Sequence, residues 1–325
     1  MTGYLLRRTA LLIPVALLVT VISFGIMHLA PGTPTDAASF NPKVSLEARQ
    51  RMAALYGLDK PLRVQYAAWL GRIARFDFGR SFVDDRPVTE KIIERLPVTL
   101  VINIASLLLI FLIAVPLGVR SAAQPGGAFD RWTTLLVFLG YSTPSFWLAL
   151  LCMAFFGVQL RWLPVSGLHS LDADGFGLLH QWLDMAWHLL LPIGIAAFVS
   201  LAGLSRYMRS SMIGVLRQDY IRTARAKGLP EHRVLYQHAL RNGLLPLITI
   251  LGLSLPDLIG GSVIAETIFS LPGMGRLFYD AVMARDYPVI MALVTIGALL
   301  TMLGNLLADA AYAVADPRIR VGGRE

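Results

Sequence analysis

Six long apolar stretches constrain this chain more than any other feature of its sequence. Each is about 20 residues long or longer, which is the length a helix needs to cross roughly 30 Å of hydrocarbon. The 325 residues are 55% hydrophobic and only 15% charged, whereas soluble domains have about 25% charged residues. The sequence therefore predicts an all-α polytopic membrane protein with six transmembrane helices. The stretches cover residues 9–30, 97–120, 133–160, 187–207, 244–268 and 289–311.

The first stretch resembles a secretory signal peptide because it follows the basic pair Arg7 and Arg8. Its apolar core, however, is longer than the roughly 7–15 residues of a signal peptide. The residues from His28 to Gly32 also form a poor cleavage site, since signal peptidase favours small residues. We therefore expect this stretch to be retained as the first transmembrane helix.

The charges between the stretches are distributed unequally across the membrane. Of the 29 Lys and Arg residues, 15 fall on the side that holds both termini, against six acidic residues, and the link at 206–243 carries eight of those 15. The opposite side has 14 basic and 14 acidic residues, and Asp257 is left within a span. Because a positive excess marks the cytoplasmic side, both termini are predicted to be cytoplasmic. The net charge of +8 thus reflects membrane topology and does not indicate nucleic-acid binding.

Two polar segments are large enough to carry structure outside the membrane. In the external one, Ser45 can cap a helix that ends near Gly57, and Pro61 can open a second helix that runs to about Arg75. The predicted parts are the N-terminus and first helix (1–30), an external helical segment (31–96), a five-helix core with a cytoplasmic loop at 206–243 (97–315), and a cytoplasmic tail (316–325).

Several catalytic and metal-binding classes leave no motif in the sequence. No phosphate-binding loop, H-E-x-x-H or G-x-S-x-G pattern is present, and the single cysteine, Cys152, lies in an apolar run. We therefore expect no catalytic residue, no metal site and no cofactor in this chain. A membrane-embedded enzyme would need a paired nucleophile and base inside the spans. The polar span residues Asn103, Ser106 and Asn305 are instead expected to form interhelical hydrogen bonds.

The cytoplasmic link at 206–243 contains the most specific local pattern. It predicts two short helices that are separated at Gly228, with a proline two residues later to begin the second. Asp219 suits the positive N-terminal end of the first helix, and Arg225 and Lys227 suit its negative C-terminal end.

One face of this first helix is small and shallow. Ile221, Ala224 and Gly228 recur at spacings of three and four residues, so that they would fit a groove on a partner protein. Composition alone favours an ordinary basic loop that follows the positive-inside rule.

This stretch resembles the EAA loop in the permeases of ATP-binding-cassette (ABC) importers for dipeptides, oligopeptides and nickel. It keeps Ala224 and Gly228 of the general pattern E-A-A-x-x-x-G, and Arg222 stands where that pattern has glutamate, as in the peptide subgroup. The resemblance extends over nearly the whole chain. Its further motifs include Asp77-Phe-Gly-Arg-Ser81, His238-Ala-Leu-Arg-Asn242, Pro272-Gly-Met-Gly275 and Arg285-Asp-Tyr-Pro288.

The resemblance implies the type I ABC importer permease fold, a place in the bacterial inner membrane and a role in peptide import. The permease would form half of a translocation pathway with a second homologous permease in the lipid bilayer. Two ATPase subunits would hold ATP and magnesium, and an external substrate-binding protein would deliver the cargo. The resemblance assigns coupling to the ATPases to Asp219, Tyr220, Arg222, Thr223, Ala224, Arg225, Ala226, Lys227 and Gly228.

The cargo and the transport class have alternatives. Related importers carry nickel, glutathione or haem, and the sequence does not separate these cargoes from peptides. A secondary transporter would also have several spans and a central charge, but it would need an internal inverted repeat, and no repeated half is visible.

Two further sites are predicted. The segment from Glu266 to Pro288 is expected to line the external mouth and contact the binding protein, and its candidate residues are Glu266, Gly273, Arg276 and Arg285. Asp257, about halfway along the fifth span, should avoid lipid because a carboxylate there costs at least about 2.5–3.5 kcal/mol. It would either line the pathway and attract a cationic group of the cargo, or form a structural hydrogen bond with another span or with the partner permease.

Overall fold

The computed structural model describes residues 2–29 and 60–315, which are almost entirely helical. The β-pairing in these residues is an isolated antiparallel bridge between Arg80 and Pro87. We number the helices α1 (Thr2–Leu29), α2 (Leu62–Ile73), α3 (Val88–Ala123), α4 (Ala128–Ser142), α5 (Ser145–Cys152), α6 (Leu178–Leu216), α7 (Asp219–Ala226), α8 (Glu231–Arg233, Val234–Ala239 and Leu240–Gly243 in direct succession), α9 (Leu245–Leu253), α10 (Leu255–Gly260), α11 (Val263–Ile268), α12 (Met274–Ala284) and α13 (Tyr287–Ala315).

Three of the predicted stretches form continuous helices that are long and apolar enough to cross a membrane. They are α3 with 36 residues, α6 with 39 residues and the part of α13 from Tyr287 to Leu307. All three helices extend beyond the apolar stretch that predicted them. The first stretch lies almost wholly within α1.

The third stretch, 133–160, is not one straight helix, so that prediction is wrong. Helices α4 and α5 meet at an angle of 99°. The break falls at Thr143, whose extended backbone (ψ 122°) precedes Pro144. Proline disfavours a helical conformation in the residue before it, because its ring clashes with that residue's backbone. Beyond α5, the chain continues as a π-helical segment, Met153–Gln159.

The fifth stretch, 244–268, is likewise broken, into α9, α10 and α11. The helical run from Glu231 to Gly252, which enters this stretch, and the run from Asp257 to Ile268 differ in direction by 46°. Between α10 and α11, Gly261 has a φ of +69°, a left-handed conformation that glycine adopts without a steric penalty. The prediction of a continuous fifth span is therefore also wrong.

The largest cluster of buried apolar side chains lies between α3 and α6. It contains Val119 of α3 and Met208 and Met212 of α6, and it reaches the short helices α7 and α8. The two long helices are in tight contact at Gly118, where an added Cβ would lie 2.6 Å from the Cβ of Met208. The absence of a side chain at Gly118 thus permits this close approach.

A Gly118→Ala variant is expected to be less stable by about 1–3 kcal/mol, because the new methyl group forces α3 and α6 apart. Thermal unfolding of the detergent-solubilised protein measures this loss. Gly203→Ala is the matched control, since Gly203 is on α6 and has nothing within 4 Å of its added Cβ. Equal unfolding temperatures for the two variants would contradict a tight contact at Gly118.

Helix α2, which lies in the segment predicted to be external, packs on α1 and α13. The hydroxyl groups of Thr20 and Tyr66 are 2.9 Å apart, and Phe24, Trp69 and Met291 are buried together. Helix α2 begins directly after Pro61, as predicted, and ends two residues before Arg75. The predicted helix from Ser45 to Gly57 lies outside the described residues.

Candidate functional site

Helix α7, in the link at 206–243, ends as its sequence predicts. Gly228 adopts a φ of +76°. Its N–H donates to the carbonyl of Arg225 at 2.9 Å, and the N–H of Leu229 donates to the carbonyl of Ala224 at 3.4 Å. These two bonds satisfy carbonyls that the helix leaves open, and they form the Schellman motif for which a left-handed glycine is favoured. The predicted break between two short helices is confirmed.

The small face of α7 points into the protein, which corrects the predicted docking face. Ile221 is fully buried and Ala224 is 6% exposed. Both belong to the α3–α6 cluster, together with Val234 and Ala239 of α8. Packing against these neighbours removes the apolar Ile221 side chain from water, which stabilises the fold. A partner protein therefore cannot reach the Ile221–Ala224 face, although Gly228 at its end is exposed.

The accessible face of α7 is polar and small. Arg222, Thr223 and Ala226 are exposed, and Lys227 continues this surface beyond the helix end. The Arg222 side chain is 76% exposed and lies 3.6 Å from the Asp219 carboxylate. We call Arg222, Thr223, Ala226 and Lys227 the outward face.

Two side-chain contacts connect α7 to α8. The Arg225 guanidinium donates to both carboxylate oxygens of Glu231, at 2.6 and 3.2 Å. The Asn242 amide donates to the Tyr220 hydroxyl at 2.7 Å. Exposed ion pairs contribute only about 0–1 kcal/mol to stability, so their main effect is to set the position of α7 on α8. Sequence reasoning missed Glu231 and Asn242, because their partners become clear only after the chain folds back.

Glu266 of α11 is buried with 3% exposure. Its carboxylate accepts the Thr99 hydroxyl at 3.0 Å and the N–H of Arg276 at 2.9 Å. The Thr99 oxygen in turn accepts the N–H of Met274 at 2.8 Å. Both residues thus bind open N–H groups at the start of α12, where the helix dipole favours a negative charge. We call Thr99, Glu266 and the first turn of α12 the outer network.

Two of the residues predicted to contact a binding protein are buried, so the prediction is wrong for them. Glu266 and Gly273 are not on the surface. A Cβ added at Gly273 would lie 2.4 Å from the Glu266 carboxylate, so this glycine makes room for the buried acid. Arg276 is half-buried and Arg285 is exposed, and a direct contact of these two with a partner stays a prediction.

A second buried carboxylate joins two sequence motifs that are far apart in the chain. Asp286 accepts the Ser81 hydroxyl at 2.5 Å and the N–H of Phe82 at 3.0 Å. Lys91 lies 3.8 Å from Asp286 and 3.0 Å from Asp84. Burial alone would raise the pKa of Asp84, but hydrogen bonds, chiefly from Lys91, outweigh burial and lower it. The loop at 77–87 is thereby fixed to the start of α13.

Asp257 lies in the first turn of α10, at the break in the fifth stretch. It is exposed, and its carboxylate has no hydrogen-bond partner among the described residues. The Asn103 amide donates to the backbone carbonyls of Asp257 at 2.8 Å and Leu258 at 3.0 Å. These carbonyls are open because α10 ends at Gly260.

The predicted interhelical role of Asn103 is confirmed by these bonds. The same prediction is wrong for Ser106, whose buried hydroxyl has no partner in the described part of the chain. Asn305 is exposed.

Comparisons with known proteins agree on one family. Residues 114–321 match the model for the binding-protein-dependent transport system inner membrane component, and residues 1–103 match the model for its N-terminal part. The chain is 47% identical to the oligopeptide transport system permease protein AppB of Bacillus subtilis, over 98% of this chain and 99% of that protein.

Two further relatives match over the same shares of both chains. The di/tripeptide transport system permease protein DppB of Pseudomonas aeruginosa is 38% identical, and the dipeptide transport system permease protein DppB of Escherichia coli is 37% identical. The matches cover α1 to α13, and with them the buried contacts of Glu266 and Asp286 and the link at 206–243. The chain therefore belongs to the binding-protein-dependent transport system inner membrane components, and it is a membrane-embedded transport subunit and not an enzyme.

Proposed function

We propose that this chain is a permease subunit of an ATP-driven importer for dipeptides or oligopeptides. The observation that carries the proposal is the match over 98% of the chain to permeases named for dipeptide, di/tripeptide and oligopeptide transport. The chain would cross the inner membrane six times with both termini in the cytoplasm. This count takes α4 with α5 as one bent span and α9 to α11 as another.

The complete importer would contain this chain, a second homologous permease, two ATPase subunits and an external substrate-binding protein. ATP and magnesium would bind to the ATPases. Support comes from the outward face of α7, whose residues Arg222, Thr223, Ala226 and Lys227 are exposed and covered by nothing in the described chain. The outer side offers Arg276 and Arg285 to the binding protein.

Force would pass from the ATPases to the membrane through α7 and α8. The contacts of Tyr220 with Asn242 and of Arg225 with Glu231 hold α7 on α8, and α8 runs directly into α9. Closure of the two nucleotide sites would therefore displace the inner part of the fifth span. Two arrangements of this span, one favoured by ATP, would give alternating access.

The Asp257 carboxylate would line the pathway. It is exposed at a break among apolar residues, and a carboxylate facing lipid there would cost at least about 2.5–3.5 kcal/mol. A wet pathway between two permeases avoids this cost and places the anion where it can attract the amino terminus of a peptide.

Asp257→Asn is expected to reduce uptake of a peptide with a free amino terminus by about tenfold, the loss for one charged contact. Uptake into proteoliposomes that hold the assembled importer measures this change, with complex assembly and basal ATP hydrolysis as controls. An N-acetylated peptide should show no such reduction. Normal uptake of the free peptide, with assembly impaired only by a non-polar replacement, would assign Asp257 to structure.

Cysteine labelling tests the proposed orientation separately from the cargo. Cys152 is the single cysteine, so Cys152→Ala provides a cysteine-free background. Gln237→Cys on α8 and Asp280→Cys on α12 then place one exposed thiol on each side. An impermeant maleimide should label Asp280→Cys in intact spheroplasts and Gln237→Cys only after permeabilisation. The reverse pattern would contradict the topology, and mass spectrometry of the ligand that co-purifies with the importer would test the peptide cargo.

A further inference from the structure

A cavity of about 250 Å³ opens between the ends of α3, α4 and α6. Its polar lining residues are Ser121, Thr133, Thr134, Ser205, Arg206 and Arg209. The apolar stretches 97–120, 133–160 and 187–207 each begin or end within one or two residues of this lining. The cavity therefore lies at the boundary between hydrocarbon and water, on the side that carries the positive excess.

The charges at the cavity leave one cation unpaired. The Arg209 guanidinium donates to both oxygens of Asp130, at 2.6 and 2.8 Å, so these two charges neutralise each other. Asp130 also accepts the N–H of Gly126 at 2.8 Å. Arg206 is exposed and has neither an ion pair nor a hydrogen bond within residues 2–29 and 60–315. A bound anion would thus meet a free guanidinium at this cavity.

The hydroxyl groups of the lining are also short of partners. The Ser121 oxygen is buried and makes no hydrogen bond among the described residues. The Ser205 hydroxyl makes only a long bond of 3.4 Å to the carbonyl of Ala202. Buried polar groups normally have partners, and an unpaired one indicates a missing ligand or water. Several hydroxyl donors beside one guanidinium match an anion with several acceptor oxygens, and phosphate is such an anion.

The surroundings of the cavity match a lipid. Trp132 and Tyr207, next to lining residues, are 71% and 62% exposed, and these residue types favour the membrane–water interface. Leu135, Phe138 and Leu139 on α4 are exposed and continue from the cavity along the helix. They offer apolar surface to acyl chains directly beyond the polar site.

We propose that this cavity binds the phosphate of an anionic phospholipid from the cytoplasmic leaflet, in the orientation proposed above. Arg206 would pair with the phosphate, Ser121 and Thr133 would donate hydrogen bonds to it, and the acyl chains would lie along α4. Basic pockets between transmembrane helices on the cytoplasmic side bind such headgroups in other membrane proteins. The bound lipid would brace α3, α4 and α6 where they meet.

Native mass spectrometry tests this site. The samples are the full-length chain and the assembled importer, both in detergent, and the probes are phosphatidylglycerol, phosphatidylcholine and inorganic phosphate. Phosphatidylglycerol should bind more tightly than phosphatidylcholine. Arg206→Gln should weaken phosphatidylglycerol binding about tenfold, through loss of a charge-assisted hydrogen bond. Arg217→Gln is the matched control, because Arg217 is exposed just beyond α6 and does not line the cavity. If Arg206→Gln fails to fold, phosphatidylglycerol binding is measured in Thr133→Val, where it should also be weakened.

Three results would overturn the proposal. One is equal phosphatidylglycerol binding by Arg206→Gln, Thr133→Val and Arg217→Gln. Another is binding of inorganic phosphate without binding of phosphatidylglycerol, which would assign the cavity to a free anion. The last is lipid binding by the isolated chain but not by the assembled importer, since the second permease would then cover the cavity. None of these results depends on the identity of the transported cargo.

Discussion

Ala226→Trp on the outward face of α7 is expected to reduce ATP-driven uptake at least about tenfold while the chain still folds and inserts. Ala226 is small and exposed, and its replacement leaves the buried Ile221 and Ala224 unchanged. If α7 sits in a groove on an ATPase, a large ring at this position prevents close contact, and poor shape complementarity weakens an interface most at its centre. Uptake and ATPase co-purification are the two measurements.

Gln237→Trp on α8 is the matched control, because Gln237 is exposed in the same cytoplasmic segment but lies outside the outward face. It should leave uptake within about twofold of the unmodified protein. Unimpaired uptake and ATPase association in Ala226→Trp would contradict docking through this face. Ala224→Leu, in contrast, should lower the yield of folded protein, since added methylenes in a packed core cost about 1–3 kcal/mol.

Glu266→Gln is expected to destabilise the protein by about 3–5 kcal/mol and to abolish uptake. The buried carboxylate accepts hydrogen bonds from the Thr99 hydroxyl and from N–H groups at the start of α12. An amide keeps one acceptor oxygen but places a donor against these donors, and each buried group left unpaired costs about 1–3 kcal/mol. Thermal unfolding in detergent measures the loss.

Asp280→Asn on α12 is the control, because Asp280 is exposed and makes only a long contact of 3.9 Å with Arg276. Its unfolding temperature should stay close to that of the unmodified protein. An unchanged unfolding temperature in Glu266→Gln would show that the outer network adds nothing to stability, and reduced uptake in that case would point to a gating role for Glu266 alone.

Local signals in the sequence were sufficient for several elements. A proline at Pro61 and a glycine at Gly228 each act on their own neighbours, so the beginning of α2 and the end of α7 follow from the sequence alone. Long apolar runs predicted α3, α6 and α13 because membrane thickness sets a minimum length. Hydropathy does not record direction, however, and it gave no sign that 133–160 and 244–268 are bent.

Contacts between distant segments could not be predicted from one sequence. The small residues of α7 were interpreted as a docking face, but Ile221 and Ala224 pack inward because α8 returns beside them. Glu266 was interpreted as a surface acid, since nothing near it in the sequence identifies Thr99 as its partner. Both errors arise from the same cause: an amphipathic or acidic pattern does not tell which neighbour it faces.

The outer contacts also set an order for biosynthesis. Ser81 pairs with a residue 205 positions later, and Thr99 with residues 167 and 175 positions later. The ribosome adds about 5–20 residues per second, so Ser81 and Thr99 emerge roughly ten seconds or more before these partners are made. During that interval the contacts that join them to Asp286, Glu266 and Met274 cannot form. This set of contacts is therefore completed last, once Asp286 is made, and a chain truncated before Asp286 lacks its contact with Ser81.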